Sequence, residues 1–280
     1  MAINQPTKVT QGNGSNSYQT LPFYLLSMVL VFMLWQAAML WIGETPRQFL
    51  LPAPADVVRR FLKLAGDGTL YLHTRVTLVE MGLGLLLGTI TALGLGYSVA
   101  HSRLLAYLLE PVIVTSQAVP IVALAPLLTV WFGPGLLSKV VVCALIVFFP
   151  ILVNVVAGLK SIDPKLRDIF RMLEAPRHVV LFKLEIPAAL PAFLSGLKVG
   201  GTLAGMGAVV GEFVASSRGL GYLVKQGQNL YDMPMMFVAI FTLMAIALII
   251  YALLAQIERS LLRWQHADPT IVNHNHNAKA

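Results

Sequence analysis

Residues 138–159, SKVVVCALIVFFPILVNVVAGL, and the stretch that follows at 160–191, KSIDPKLRDIFRMLEAPRHVVLFKLEIPAALP, decide the fold of this chain. The first is long and apolar enough to cross hydrocarbon, which takes about 20 residues in a helix. The second is the one long, charge-dense interruption in a chain that is 57% hydrophobic and 12% charged, with a mean hydropathy of +0.74. Those proportions lie outside the range of soluble domains. With no water in the bilayer core, backbone amides there must pair inside helices or closed barrels. Long uninterrupted apolar runs select helices, so the chain reads as an all-α integral membrane protein.

Working outward, the same reading gives six transmembrane helices, at 21–42, 76–101, 104–132, 138–159, 188–213 and 234–256. The first, LPFYLLSMVLVFMLWQAAMLWI, is too long for a signal-peptide apolar region and lacks a small-x-small exit, so it reads as a retained anchor. The organisation is then a polar tail (1–20), the anchor (21–42), an external segment (43–75), a core (76–257) holding the loop 160–187, and a second tail (258–280). HNHN at 274–277 is too sparse for a metal site, and Cys143, the single cysteine, can form no intramolecular disulfide. No cofactor or metal is expected in this chain.

Placing both termini in the cytoplasm puts eleven Lys and Arg on that side and eight on the other, and six of the eleven lie in the loop. The positive-inside rule therefore favours this orientation. The basic residues form no aromatic-interleaved stripe, so the net charge of +7 reflects topology rather than nucleic-acid binding. In the external segment, PAPADVVRRFLKLAG (52–66) suits either a short helix on the membrane surface or an extension of the second span.

In the loop, Asp163 is a good N-cap and Pro164 fits the first helical position. Leu166, Ile169, Phe170 and Leu173 fall at i, i+3, i+4 and i+7, with Lys165, Arg167, Asp168 and Arg171 on the other side. The spacing predicts a short amphipathic helix, halted before Pro176, then a second short helix from His178 to Glu185 running into Pro187. The bilayer surface, the chain's own bundle or a partner must cover the apolar stripe.

This loop resembles the coupling loop of ABC importer permeases, in the nitrate, sulfonate, taurine and vitamin-precursor branch of the binding-protein-dependent family. The family's Glu-Ala-Ala-x3-Gly-x9-Ile-x-Leu-Pro pattern sets its acid on Asp168, its alanines on Ile169 and Phe170, its glycine on Glu174 and its last four residues on Leu184 to Pro187. Spacing, acid and proline survive; the small residues and the glycine do not, and a larger knob at Phe170 calls for a roomier socket. LPAPADVVRRF, QAVPIVALAPLLTVWFGPG (117–135) and GEFVASSRGLGYLV (211–224) resemble the same branch. The resemblance implies a type I ABC importer permease whose Pro164, Leu166, Asp168, Ile169, Phe170, Leu173, Glu174 and Pro187 couple to an ATPase. It also implies two cytosolic ATPase subunits carrying ATP and Mg, a second permease copy, an external solute-binding protein, and a prokaryotic inner membrane. The solute it favours is a vitamin or precursor such as riboflavin or hydroxymethylpyrimidine, ahead of sulfonate, taurine or nitrate.

The residues agree that the chain has no motor. The nearest approach to a phosphate-binding loop, Gly133 to Lys139, lacks the second glycine and the hydroxyl, so nothing marks the chain as an enzyme. Gly84 and Gly88, Gly196 and Gly200, Gly201 and Gly205, and Gly207 and Gly211 are paired four apart, which lets helix backbones approach closely, fixed or sliding. Pro120, Pro126 and Pro150 would kink or break the third and fourth spans around a central cavity. Lys198, deep in the fifth span, either snorkels to the interface or lines the pathway opposite solute or an acid. Glu80 and Glu110 read as interfacial, and Glu212 as a gate. Asn154, Thr202, Ser195, Thr115, Ser116 and Gln117 are polar pathway candidates. A proton-coupled carrier titrating Lys198 and Glu212, or a scaffold recruiting a cytosolic protein, are the alternatives; no inverted repeat supports the first.

Overall fold

A computed structural model describes residues 51–117 and 119–263, together with Leu26, Val29, Leu30 and residues 33–37. The first predicted tail, most of the first predicted span and the second predicted tail beyond residue 263 lie outside the described residues. The chain divides into two units, residues 1–53 and 54–280. In the first, Leu26, Val29, Leu30, Met33 and Leu34 are helical with exposed side chains.

Every regular element described in the second unit is helical: α1 (Pro54–Gly66), α2 (Thr69–His101), α3 (Arg103–Gln117), α4 (Ile121–Phe132), α5 (Leu136–Lys160), α6 (Pro164–Met172), α7 (Arg177–Val180), α8 (Ile186–Ala215), α9 (Leu220–Leu230) and α10 (Met233–Leu261). Gly68, at φ 77°, separates α1 from α2, so α1 is a helix of its own rather than an extension. It buries Val57 and Leu64, and Arg60 pairs at 2.5 Å with Asp232. Asp232 also caps α10 by accepting the Met235 N–H at 3.0 Å.

Among the described residues, four helices are long and apolar enough to cross a membrane: α2 (33 residues), α5 (25), the continuous helix Arg177–Ala215 (39) and α10 (29). The predicted third span, 104–132, is not one helix. It is split into α3, of 15 residues, and α4, of 12, each short of the roughly 20 needed to span. The break falls at Pro120, which is extended at ψ 104° and caps α4. Proline lacks an N–H to continue a helix and disfavours α conformation in the residue before it. Pro111, Pro126 and Pro150 all lie inside continuous helices.

The core forms around α5, which lies between α2 and α8. Val142, Cys143, Val147, Ile151 and Leu152 of α5 are at most 1% exposed. Glycines make this contact possible. A Cβ on Gly88 of α2 would sit 2.8 Å from the Ala144 carbonyl oxygen, and one on Gly207 of α8 would sit 2.7 Å from Cys143 Cα. Gly84, Gly196 and Gly211 also meet the α5 backbone, whereas Gly200 packs on the side chains of Val147 and Ile151. The paired glycines do not form a single stripe, because Gly201 faces Leu254 of α10 and Gly205 faces Met81 of α2. Leu86, Ile90, Val130, Leu248 and Ile249 are each more than half exposed, an apolar surface suited to lipid or another subunit.

Gly207→Ala forces backbone against backbone, and overpacking of this kind costs about 1–3 kcal/mol. On Gly94 a Cβ meets nothing within 4 Å, so Gly94→Ala gains up to about 1 kcal/mol of helix propensity. Melting of the purified protein in detergent should fall for the first variant and hold or rise for the second.

Candidate functional site

The loop builds the helix its sequence specifies. Asp163 accepts the Lys165 N–H at 2.9 Å, Pro164 takes the first position, and α6 follows. Arg167 ties α6 to the end of α5 by donating to the Leu159 carbonyl at 2.8 Å. Asp168 pairs only with Arg171, at 3.1 Å on the exposed side, a bond worth a few tenths of a kcal/mol. Of the apolar stripe, Phe170 is half-buried, whereas Leu166, Ile169, Met172 and Leu173 are 45%, 50%, 83% and 72% exposed. The bundle therefore leaves most of this face uncovered.

The end of α6 explains the family's glycine. Glu174 donates to the Arg171 carbonyl and Ala175 to that of Phe170, both at 3.0 Å, which is the paired bonding of a Schellman cap. That cap needs a left-handed residue, and Glu174 adopts φ 48°. Beyond Pro176 the chain departs from expectation. α7 continues through a five-residue π turn, Leu181–Glu185, directly into α8. Pro187 therefore lies inside a continuous helix instead of ending one. The wide turn, in which the Ile186 N–H reaches back to the Leu181 carbonyl, comes just before the proline whose ring an α turn would crowd.

Among the described side chains, those of Lys198, Thr202 and Asn154 do not bond to one another. Lys198 meets an acid, Glu258, at 2.5 Å, with both side chains about one-fifth exposed. The sequence pattern leaves Glu258 in the tail, but α10 runs on to Leu261 and carries it inward. Thr202 donates to the Val199 carbonyl at 2.8 Å and Asn154 to that of Pro150 at 2.8 Å, both within their own helices. Gln117 ends α3, and its side chain lies outside the described atoms, as does that of Ser116.

Glu212 is fully buried, in a polar cluster at the end of the bundle opposite α6. The N-terminus of α9 brings four successive backbone N–H groups there, and a helix start leaves such groups without partners of its own. Gly219 N–H lies 2.9 Å from His73 Nδ1, and Leu220 N–H donates to Thr77 Oγ1 at 2.8 Å. The Glu212 carboxylate accepts Gly221 N–H at 2.5 Å and Tyr222 N–H at 3.3 Å, and also the Thr77 hydroxyl at 2.6 Å. An acid suits the positive end of a helix dipole. Any Cβ on Gly219, at φ 116°, would collide with this carboxylate.

Glu80, expected at an interface, is 1% exposed. Its counter-ion is Lys139, at 3.1 Å, which also donates to Ser216 Oγ at 2.8 Å. The charge count assigns Lys139, at the start of the 138–159 span, to the external side, yet it is buried in the first turn of α5. A signal for the cluster is present in the sequence: His73, Thr77 and Glu80 fall at i, i+4 and i+7 on one face of an apolar helix.

The family described as the inner membrane component of binding-protein-dependent transport systems matches residues 84–263. The chain belongs to that family. Among curated relatives of this ABC transporter permease, the riboflavin transport system permease of Chloroflexus aurantiacus is 44% identical over 86% of this chain and 89% of that one. The formylaminopyrimidine transport permease of Halalkalibacterium halodurans is 33% identical over 89% and 98%. The taurine transport permease of Escherichia coli is 30% identical over 76% and 80%. A methionine ABC transporter in an inward-facing conformation contains a chain of the same fold, with a TM-score of 0.61 and 19% identity over 69% of this permease and 97% of that chain.

Two outcomes follow for the permease. A non-glycine residue held left-handed costs about 1–2 kcal/mol, part of which glycine gives back in the unfolded chain. Glu174→Gly should therefore stabilise α6 by about 0.5–1 kcal/mol, seen as several-fold slower amide exchange over residues 165–175. Lys139→Met strands the buried Glu80, at about 3–5 kcal/mol. The yield of folded protein should collapse, and adding Glu80→Gln should recover most of it.

Proposed function

We propose that this permease is the translocating subunit of an ABC importer for a vitamin or vitamin precursor, riboflavin or a pyrimidine precursor of thiamine, and that α6 is its coupling helix. The observation that carries the reading is the uncovered apolar face of α6, Leu166, Ile169, Met172 and Leu173, held out by a capped, tethered helix. A cytosolic ATPase is the cover it calls for. ATP and Mg belong to that partner. Two ATPases act on two permease copies, most simply a homodimer, and an external binding protein delivers the solute. Both termini lie in the cytoplasm and the complex in the prokaryotic inner membrane.

Each chain crosses six times in this reading. The first crossing is 21–42, and α3 with α4 makes one broken crossing. Backbone freed at Pro120 is tolerable at membrane depth only inside the bundle or beside water, so this break borders the pathway, with Gln117, Asn154, Thr202 and Lys198 as its polar candidates. The solute assignment leans on the riboflavin and formylaminopyrimidine relatives, ahead of the taurine one. A proton carrier fits less well: Lys198 faces Glu258, and Glu212 is occupied by the start of α9.

Cells expressing the transporter should accumulate labelled riboflavin or formylaminopyrimidine in competition with one another, and not taurine. Ile169→Asp should cut accumulation at least tenfold with the protein still in the membrane. Accumulation of taurine alone moves the sulfonate reading ahead, and normal uptake by Ile169→Asp removes α6 from the coupling role.

A further inference from the structure

The continuous helix that begins at Arg177 and ends at Ala215 has the coupling loop at one end and Glu212 at the other. Glu185 and Glu212 are 27 residues apart on it, roughly 40 Å at the α-helical rise. α2 runs alongside and is fastened to it at both ends, through His101 and Glu185 at 2.8 Å and through Thr77 and Glu212 at 2.6 Å. Between them lies α5, in backbone contact with both. Fastened at both ends and packed on α5, the three helices form one packed unit.

At the far end this body holds the start of α9. Four consecutive N–H groups, Gly219 to Tyr222, bond to side chains of α2 and α8, two to each. α9 buries Leu220, Gly221, Leu223, Val224 and Gly227, while its other face carries exposed Lys225, Gln228 and Asn229. We propose that Glu212 is a positioning residue that makes α9 a rigid extension of α8, so that a push on the 160–187 loop displaces α9 at the opposite end of the bundle. The proposal rests on the importer reading for its purpose, though the attachment itself does not. It assigns Glu212 a mechanical part instead of a charge that gates solute or proton.

Glutamine separates the two parts. Its carbonyl can accept the Gly221 and Tyr222 N–H groups while its amide donates to Thr77 Oγ1, whose proton turns to the His73 carbonyl 3.2 Å away. Alanine removes the acceptors altogether. Leu220→Cys supplies the probe, since Leu220 is 0% exposed and Cys143, the one native thiol, is equally buried. In membranes opened on both sides, maleimide should label the introduced thiol at least tenfold faster with Glu212→Ala than without it, and within about twofold of the parent rate with Glu212→Gln. In the assembled transporter, Glu212→Ala should raise the ATP hydrolysed per solute imported several-fold, with Glu212→Gln near the parent value. Unchanged labelling in Glu212→Ala overturns the proposal, and so does Glu212→Gln as uncoupled as Glu212→Ala, which would show that the charge itself acts. Labelling needs no ATPase, so a parent chain that imports nothing would sink the importer reading while the attachment stayed tested.

Discussion

Backbone contact along α5 is the constraint on which the other features depend. Without side chains at Gly84 and Gly88 on one flank and at Gly196, Gly207 and Gly211 on the other, α2 and α8 close on α5 to within van der Waals reach of its main chain. Dispersion then does in lipid what water-driven burial does in a soluble core, because hydrocarbon tails solvate leucine as well as another helix does. The same closeness dries the region where Glu80, Lys139 and Glu212 lie, so each must find a partner within the protein.

The cluster meets that demand by division of labour. Glu80 is balanced by a side-chain cation, Glu212 by a helix terminus. The two carboxylates are neighbours in one dry region, and the second also holds the start of a short helix. At the other end of the bundle the rule is reversed. α6 is capped and tied to α5 but keeps most of its apolar face bare, which is what the proposed coupling role requires.

Much of this was legible in the residues. Asp163-Pro164 and the spacing from Leu166 to Leu173 specify α6 because cap chemistry and helical period are local. Paired glycines announced close packing because small residues in an apolar helix have few other uses. Pairings between distant elements were not legible. Lys139 reads as a cation at the external end of its span until α5 is seen to begin at Leu136 and bury it, and Glu258 as a tail residue until α10 is seen to reach it. Pro120 and Pro187 show how context decides for proline: the first caps a new helix, whereas the second is absorbed by a π turn that no local pattern announces. Glu174 is the instructive departure, since the fold keeps the left-handed geometry the family's glycine serves even where glycine is gone.

The reading as a whole requires an ATPase, for which this sequence carries no phosphate-loop motif. The most direct measurement is to tag the permease, purify it gently from its native membranes and identify the co-purifying chains by mass spectrometry. A phosphate-loop ATPase in one-to-one ratio with the permease is the predicted result. A complex shown by cross-linking controls to survive detergent, with no ATPase in it, would contradict the account.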